Sequence, residues 1–209
     1  TKELEYYKDK DFVLVLGCSH TEGNGLADDE VWHYHITKNL NIEVLNGGSS
    51  GIGPDLIHLN TFLFLKNSGL KPKAVIIQWP SLHRLSWKGD ISFFPFVPAN
   101  TGIRPPPRFP NRPHIPYQAI QIMSEWYRLS IFDNNVSNNS KIAMESTKML
   151  WNLSNIPILE FSIDSDNQLV DYYGDLIVPG DFARDRQHFG HLSHQAIGEK
   201  VCDKLKNML

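Results

Sequence analysis

Apolar residues in this chain fall in short solid runs that alternate with longer segments of helical spacing. Phe12–Gly17 is an unbroken apolar run closed by glycine, and Ala74–Trp79 repeats it with one polar residue, Gln78. Such runs predict strands buried on both faces, as in a parallel sheet. Ile42–Leu45 and Ile156–Phe161 predict two more strands. Between them, Glu30–Leu40 and Asp55–Lys66 read as helices, the second with Leu56, Leu59 and Leu63 at helical spacing. Val136–Leu153 and Ser193–Met208 predict helices further on, and Tyr117–Phe132 another. Strand, helix, strand, helix, strand between Phe12 and Trp79 is the alternation of a parallel sheet with right-handed crossovers. It predicts a three-layer α/β/α sandwich in a single domain, residues 1–209.

The middle breaks the pattern. Eight prolines lie between Phe93 and Pro116, which excludes a helix or a central strand there. The segment, a proline-rich insertion at about 88–116, also carries Phe93, Phe94, Phe96 and Phe109. Disordered linkers are poor in aromatics, so an ordered loop packed on the body is expected. Because it follows the third strand, it is expected to wall the ligand end of the sheet or to hold a partner chain. Arg104, Arg108 and Arg112 recur along it, either as solvated charges or as binders of an anionic group.

Composition narrows the classes. A net charge of -3 over 209 residues argues against nucleic acid as a partner. No run of about 18 uncharged apolar residues exists, so no membrane span is expected. The opening Thr1–Glu5 lacks the apolar core of a signal peptide, which makes the cytoplasm the default expectation. Two cysteines, Cys18 and Cys202, make no disulfide framework and read as reduced thiols.

The candidate chemistry begins where the first strand stops. Gly17-Cys18-Ser19-His20-Thr21-Glu22-Gly23 puts a serine at the carboxyl end of that strand, where open α/β sheets bind ligands. Taken alone, Ser19 is either a turn residue or a nucleophile. Asp185-Arg186-Gln187-His188, just before the last helix, adds a carboxylate and an imidazole. Serine, histidine and aspartate together are the parts of nucleophilic acyl transfer. Asp185 is alternatively an ion-pair partner of Arg184 or Arg186. His188, His191 and His194 do not converge on one helical face, so no metal is expected, nor any cofactor. His194 reads as a packed or hydrogen-bonded residue, and His33 and His35 as chemically idle.

These segments resemble the blocks of the SGNH, or GDSL-like, hydrolases, which are flavodoxin-like α/β/α esterases, lipases and deacetylases. Gly17–Gly23 is similar to their first block. Asn46 and Gly51 are similar to the second, and Asp185 to His188 to the last. The resemblance implies a serine hydrolase that cleaves a carboxylic ester, including O-acetyl esters of carbohydrates. It implies Ser19 as nucleophile, His188 as general base and Asp185 as the residue orienting it. It also implies the N–H groups of Ser19 and Gly51 as oxyanion donors, and a small-molecule or glycan ester as the partner.

The sequence departs from the blocks in two places. Cys18 replaces the usual aspartate. The usual third-block asparagine, whose amide is another oxyanion donor, is missing, and by its distance from the strand Leu82 takes its place. Ser81, His83 or Arg84 is then the substitute donor, with Trp79, His83 and Arg84 as candidate substrate-binding residues; Trp79 and Trp87 read equally as an aromatic wall or as core packing. Removing one such donor costs about 10²–10³ in rate. The alternative reading is therefore an impaired module of a larger assembly that contacts partners through the proline-rich loop.

Overall fold

The computed structural model describes residues 4–88, 93–96 and 135–209. Five parallel strands form the central sheet: β1 (Phe12–Gly17), β2 (Glu43–Gly48), β3 (Ala74–Trp79), β6 (Ile158–Ser162) and β7 (Asp171–Tyr172). Their spatial order is β2-β1-β3-β6-β7. β4 (Leu85–Lys88) and β5 (Phe93–Phe96) form a separate antiparallel pair. With that pair set aside, the sheet has the doubly wound order 2-1-3-4-5, whose ligand crevice lies beyond the carboxyl ends of its first and third strands.

Alternation along the strands sorts the core into two layers. Leu14, Leu16, Val75 and Ile77 face a cluster with Leu56, Ile57, Met144 and Trp151. That layer is built by α3 (Pro54–Asn67) and α4 (Asn135–Leu153), which pack on each other. Val13, Val15 and Ile76 face the opposite cluster with Trp32, Ile36, Ile197 and Val201. It is built by α2 (Tyr34–Leu40) and α5 (His191–Leu205). Both faces of β1 and β3 are buried, which is why their sequences are solidly apolar. Burying each such Leu, Ile or Val side chain contributes about 1.5–3 kcal/mol.

The predicted three-layer α/β/α architecture is the observed one, and several borders move. β2 runs on past the expected Ile42–Leu45 through Asn46-Gly47-Gly48. Gly48 pairs with Gly17 in register, and a Cβ on Gly48 would lie 2.5 Å from Glu22 N. The glycine there serves a close approach inside a strand. In place of one helix over Glu30–Leu40 there is a 3-10 turn, Asp28–Glu30, followed by the shorter α2. Phe93–Phe96 is a strand despite Pro95, in a two-stranded ribbon where a missing donor is tolerated. The two-residue β7 was not foreseen. The expected helix Tyr117–Phe132 and most of the proline-rich insertion lie outside the described residues.

Candidate active site

β1 stops at Gly17 and the chain turns at once into α1 (Ser19–Glu22), a single helical turn. A Cβ on Gly17 would lie 2.2 Å from Thr21 Oγ1, so the turn closes only on glycine. Thr21 Oγ1 donates to Gln78 Oε1 at 2.6 Å, and both side chains are buried. That bond ties the turn to the end of β3. Ser19 is thereby fixed at the switch point of the sheet, 8 % exposed.

The second half of the site is a narrow loop leading into α5. Ala183 N donates to His188 O at 2.9 Å and Gly190 N to Asp181 O at 2.9 Å. Asp185 Oδ1 accepts the N–H groups of Gln187, at 3.0 Å, and His188, at 3.1 Å. Arg186, between them, has a left-handed backbone, φ +56°. The loop docks on the segment after α1 through Arg184. Its N–H reaches Gly25 O at 3.0 Å, and its guanidinium grips Glu30 by two bonds of 2.6 and 3.0 Å. Arg184 thus pairs with Glu30, not with Asp185, and holds the Glu30 carboxyl down at about 2.

This docking lines up three side chains. His188 Nδ1 lies 2.6 Å from Asp185 Oδ2, and His188 Nε2 lies 2.8 Å from Ser19 Oγ. Partial desolvation would raise the Asp185 carboxyl. The N–H of Gln187, the His188 ring and the His188 N–H outweigh it and hold the group at about 2. An ionised carboxylate only accepts hydrogen bonds, so the imidazole proton sits on Nδ1 and Nε2 is left to accept from Ser19 Oγ.

Behind this row lies a layer of uncharged imidazoles. His20 stacks on Phe189, with centroids 4.0 Å apart, and meets His188 edge-on at 4.8 Å. Burial, reinforced by His188, His194 and Arg84 and opposed by Asp185, pushes His20 down to about 3. Burial likewise lowers His194 to about 3, and its Nδ1 accepts the Trp32 N–H at 3.0 Å. His33, lowered to about 4 by burial, reaches Thr21 O. His194 has the packed role expected of it, and His33, expected to be idle, buttresses α1.

The loop after β2 comes up beside Ser19. Asn46 Oδ1 accepts the Gly48 N–H at 2.9 Å, and Ser49 N donates to Gly17 O at 3.0 Å. Ser50 Oγ donates to the Glu22 carboxylate and accepts from Asn24. Gly51 follows with φ +73°. Among the described residues, no backbone acceptor takes the N–H of Ser19 or of Gly51.

Beyond β3, two expectations need correction. Trp79 is fully buried, and its Nε1 donates to Glu160 Oε1 at 2.9 Å, so it cannot be a substrate wall. It is the last residue of β3, a strand buried along its whole length. Ser81 Oγ donates its single proton to Asp166 Oδ2 at 2.7 Å, which removes it as an oxyanion donor. The Leu82 N–H joins the same carboxylate at 3.1 Å, and the Leu82 side chain is in the core. His83 and Arg84 remain at the rim, both half-buried. Asp166, which shapes this loop, was missed; its only sequence signal is its place just after β6. Trp87 lies in β4. Cys18 and Cys202 are buried free thiols. Among the described residues, no three His, Cys, Asp or Glu side chains gather as a metal site, and no helix is long and apolar enough to cross a membrane.

The fold and site together define a three-layer α/β/α protein with a Ser–His–Asp row at the switch point. No protein-family model matches the chain, and no curated protein matches its sequence. Solved structures similar to it include a GDSL-like lipase from Bacteroides thetaiotaomicron, at 12% identity and TM-score 0.39, covering 100% of this chain and 93% of that one. Another is an acetyl xylan esterase from Butyrivibrio proteoclasticus, at 11% identity and TM-score 0.47, covering 94% and 63%. A third is a lipase/acylhydrolase from Enterococcus faecalis, at 16% identity and TM-score 0.41, covering 94% and 96%. These are likenesses of chain path; the functional reading rests on the side chains of this chain.

Proposed function

We propose that this chain is a serine hydrolase that cleaves a carboxylic ester through an acyl-enzyme on Ser19. The observation that carries the reading is the hydrogen-bonded row from Ser19 Oγ through His188 to Asp185. Ser19 Oγ attacks the ester carbonyl carbon as His188 Nε2 takes its proton. His188 then returns that proton to the departing alcohol oxygen, leaving the acyl group on Ser19. Water repeats the sequence: His188 takes its proton, the hydroxide oxygen attacks the acyl carbonyl, and Ser19 leaves with the proton restored. Asp185 keeps the imidazole in the productive tautomer and stabilises its charged form.

The N–H groups of Ser19 and Gly51 serve the developing oxyanion, since neither is spent on a backbone acceptor among the described residues. Leu82 cannot add to them. The site therefore works with one side-chain donor fewer than the resemblance implies, and modest turnover is expected. The substrate is a small-molecule or glycan ester, with an O-acetylated carbohydrate as one candidate. The buried Leu82 also favours the second reading, a binding module that retains the fold.

Hydrolysis of a short-chain 4-nitrophenyl ester by wild type and Ser19→Ala separates the two. Turnover lost in the variant supports the hydrolase; equal rates, or none in either, support the module.

A further inference from the structure

The Pro80–Arg84 connection is folded back on itself by Asp166. Besides the two bonds to that carboxylate, His83 N reaches Ser81 Oγ at 3.2 Å and Arg84 N reaches Ser81 O at 3.1 Å. The turn delivers the Arg84 backbone against Gly53, where a Cβ would lie 2.4 Å from Arg84 O. Gly53 is two residues beyond Gly51, so Arg84 stands on the same rim of the crevice as the second oxyanion candidate. Its charge is felt by His20, the imidazole edge-on to His188, and by Asp164 beyond β6. Arg84 is therefore within electrostatic reach of both His20, next to the Ser19 row, and Asp164.

Its own hydrogen bonding is incomplete. Arg84 Nε is buried and, among the described residues, has no acceptor. Among the described residues, no carboxylate forms an ion pair with the guanidinium. The nearby acids are otherwise engaged. Asp166 is spent on Ser81 and Leu82. Asp164 is raised by burial and by Asp166, which disfavours its charged form, against the opposing pull of Arg84. Buried donors in folded proteins nearly always have a partner, and a charged donor most of all. A planar guanidinium with an open edge matches a carboxylate, which it takes by two parallel bonds.

We propose that Arg84 recognises a carboxylate on the substrate beside the scissile ester, so that the preferred substrates are anionic half-esters. The ester part of this statement rests on the proposed hydrolase function; the anion site does not.

The test compares mono-4-nitrophenyl glutarate with 4-nitrophenyl valerate, two esters of equal length that differ in a terminal charge. The wild type is expected to favour the glutarate in kcat/KM. Arg84→Gln is expected to lower the ratio of charged to neutral ester about 10–100-fold, mainly through KM. Arg84→Lys, which keeps the charge, is expected to lower it less. A wild type indifferent to the charge, or a ratio unchanged in Arg84→Gln, overturns the proposal. Calorimetric titration with glutarate supplies the second arm. Saturable binding to wild type and Ser19→Ala that is lost in Arg84→Gln supports the site, and binding that is absent or independent of Arg84 contradicts it. If Ser19→Ala leaves turnover intact while glutarate still requires Arg84, the hydrolase reading fails and the anion site stands.

Discussion

Gly25 lies against Asp185 so closely that a Cβ there would come within 2.9 Å of the carboxyl carbon and 3.0 Å of Ala183 Cβ. Its backbone is left-handed, φ +76°. Both facts penalise Gly25→Ala, which is expected to cost about 1–3 kcal/mol in stability. It also displaces the carboxylate that orients His188, so kcat/KM is expected to fall about 10²-fold at a temperature where the variant is folded. A variant with a lowered Tm and full turnover would mean that the position of Asp185 is unimportant.

Asp185→Asn separates orientation from packing. The amide oxygen still accepts the N–H groups of Gln187 and His188, but Asp185 no longer fixes the imidazole tautomer. A kcat loss of about 10⁴ is expected. The ordinary aspartate value is 3.8 and the folded one about 2. The unfolded chain therefore binds the proton first, and this stabilisation is complete above 3.8 and lost as pH falls through about 2. Thermal melts from pH 5 to pH 2 should bring wild type and Asp185→Asn closer together. Curves that stay parallel contradict the assignment.

His20 predicts a second acid limb. Its folded value, about 3, lies below the ordinary 6.5. Stability from this group is full above 6.5 and is lost progressively as pH falls toward 3, because the unfolded imidazole takes a proton that the folded one refuses. His20→Phe keeps a ring on Phe189 and removes Nδ1, which is buried and has no partner among the described residues. Its Tm is expected to match wild type near pH 7.5 and exceed it near pH 5. The slope difference is at most about 1.4 kcal/mol per pH unit. Equal slopes would show that His20 is protonated in the fold.

Leu82→Asn restores the amide that the sequence blocks lack, yet no gain in activity is expected. Leu82 is 4 % exposed and part of the core beside Trp79 and Ile77. An amide there loses packing and is buried, at a cost of about 2–5 kcal/mol. A rise in kcat with an unchanged melt would mean that the loop can turn this residue toward Ser19.

What was legible in the sequence is what depends on neighbouring residues. Solid apolar runs fixed β1 and β3, because both faces of each are covered. Ser19, Asp185 and His188 stood out because a strand-ending turn and an Asp-x-x-His segment are local patterns, and the fold brings their side chains together. Leu82 was legible as a loss for the same reason. Trp79 stayed open between wall and core, since an aromatic at a strand end reads alike whether it is walled in or exposed; its bond to Glu160, which decides for the core, is a tertiary fact. Ser81 failed as a donor because Asp166, 85 residues away, claims its proton. The second strand was expected to stop at Leu45, because composition does not distinguish the glycines of a flexible turn from Gly47 and Gly48 at a close approach between strand and helix. Pro95 forbids a central strand, but not a ribbon of two.

The central claim is that Ser19 is a nucleophile activated by His188. Its most direct test is intact-protein and peptide mass spectrometry after exposure to an alkyl fluorophosphonate. The account predicts one phosphonyl adduct, on Ser19, that forms slowly in Asp185→Asn and is absent in Ser19→Ala. An unlabelled wild type, or an adduct elsewhere with Ser19 untouched, would contradict it.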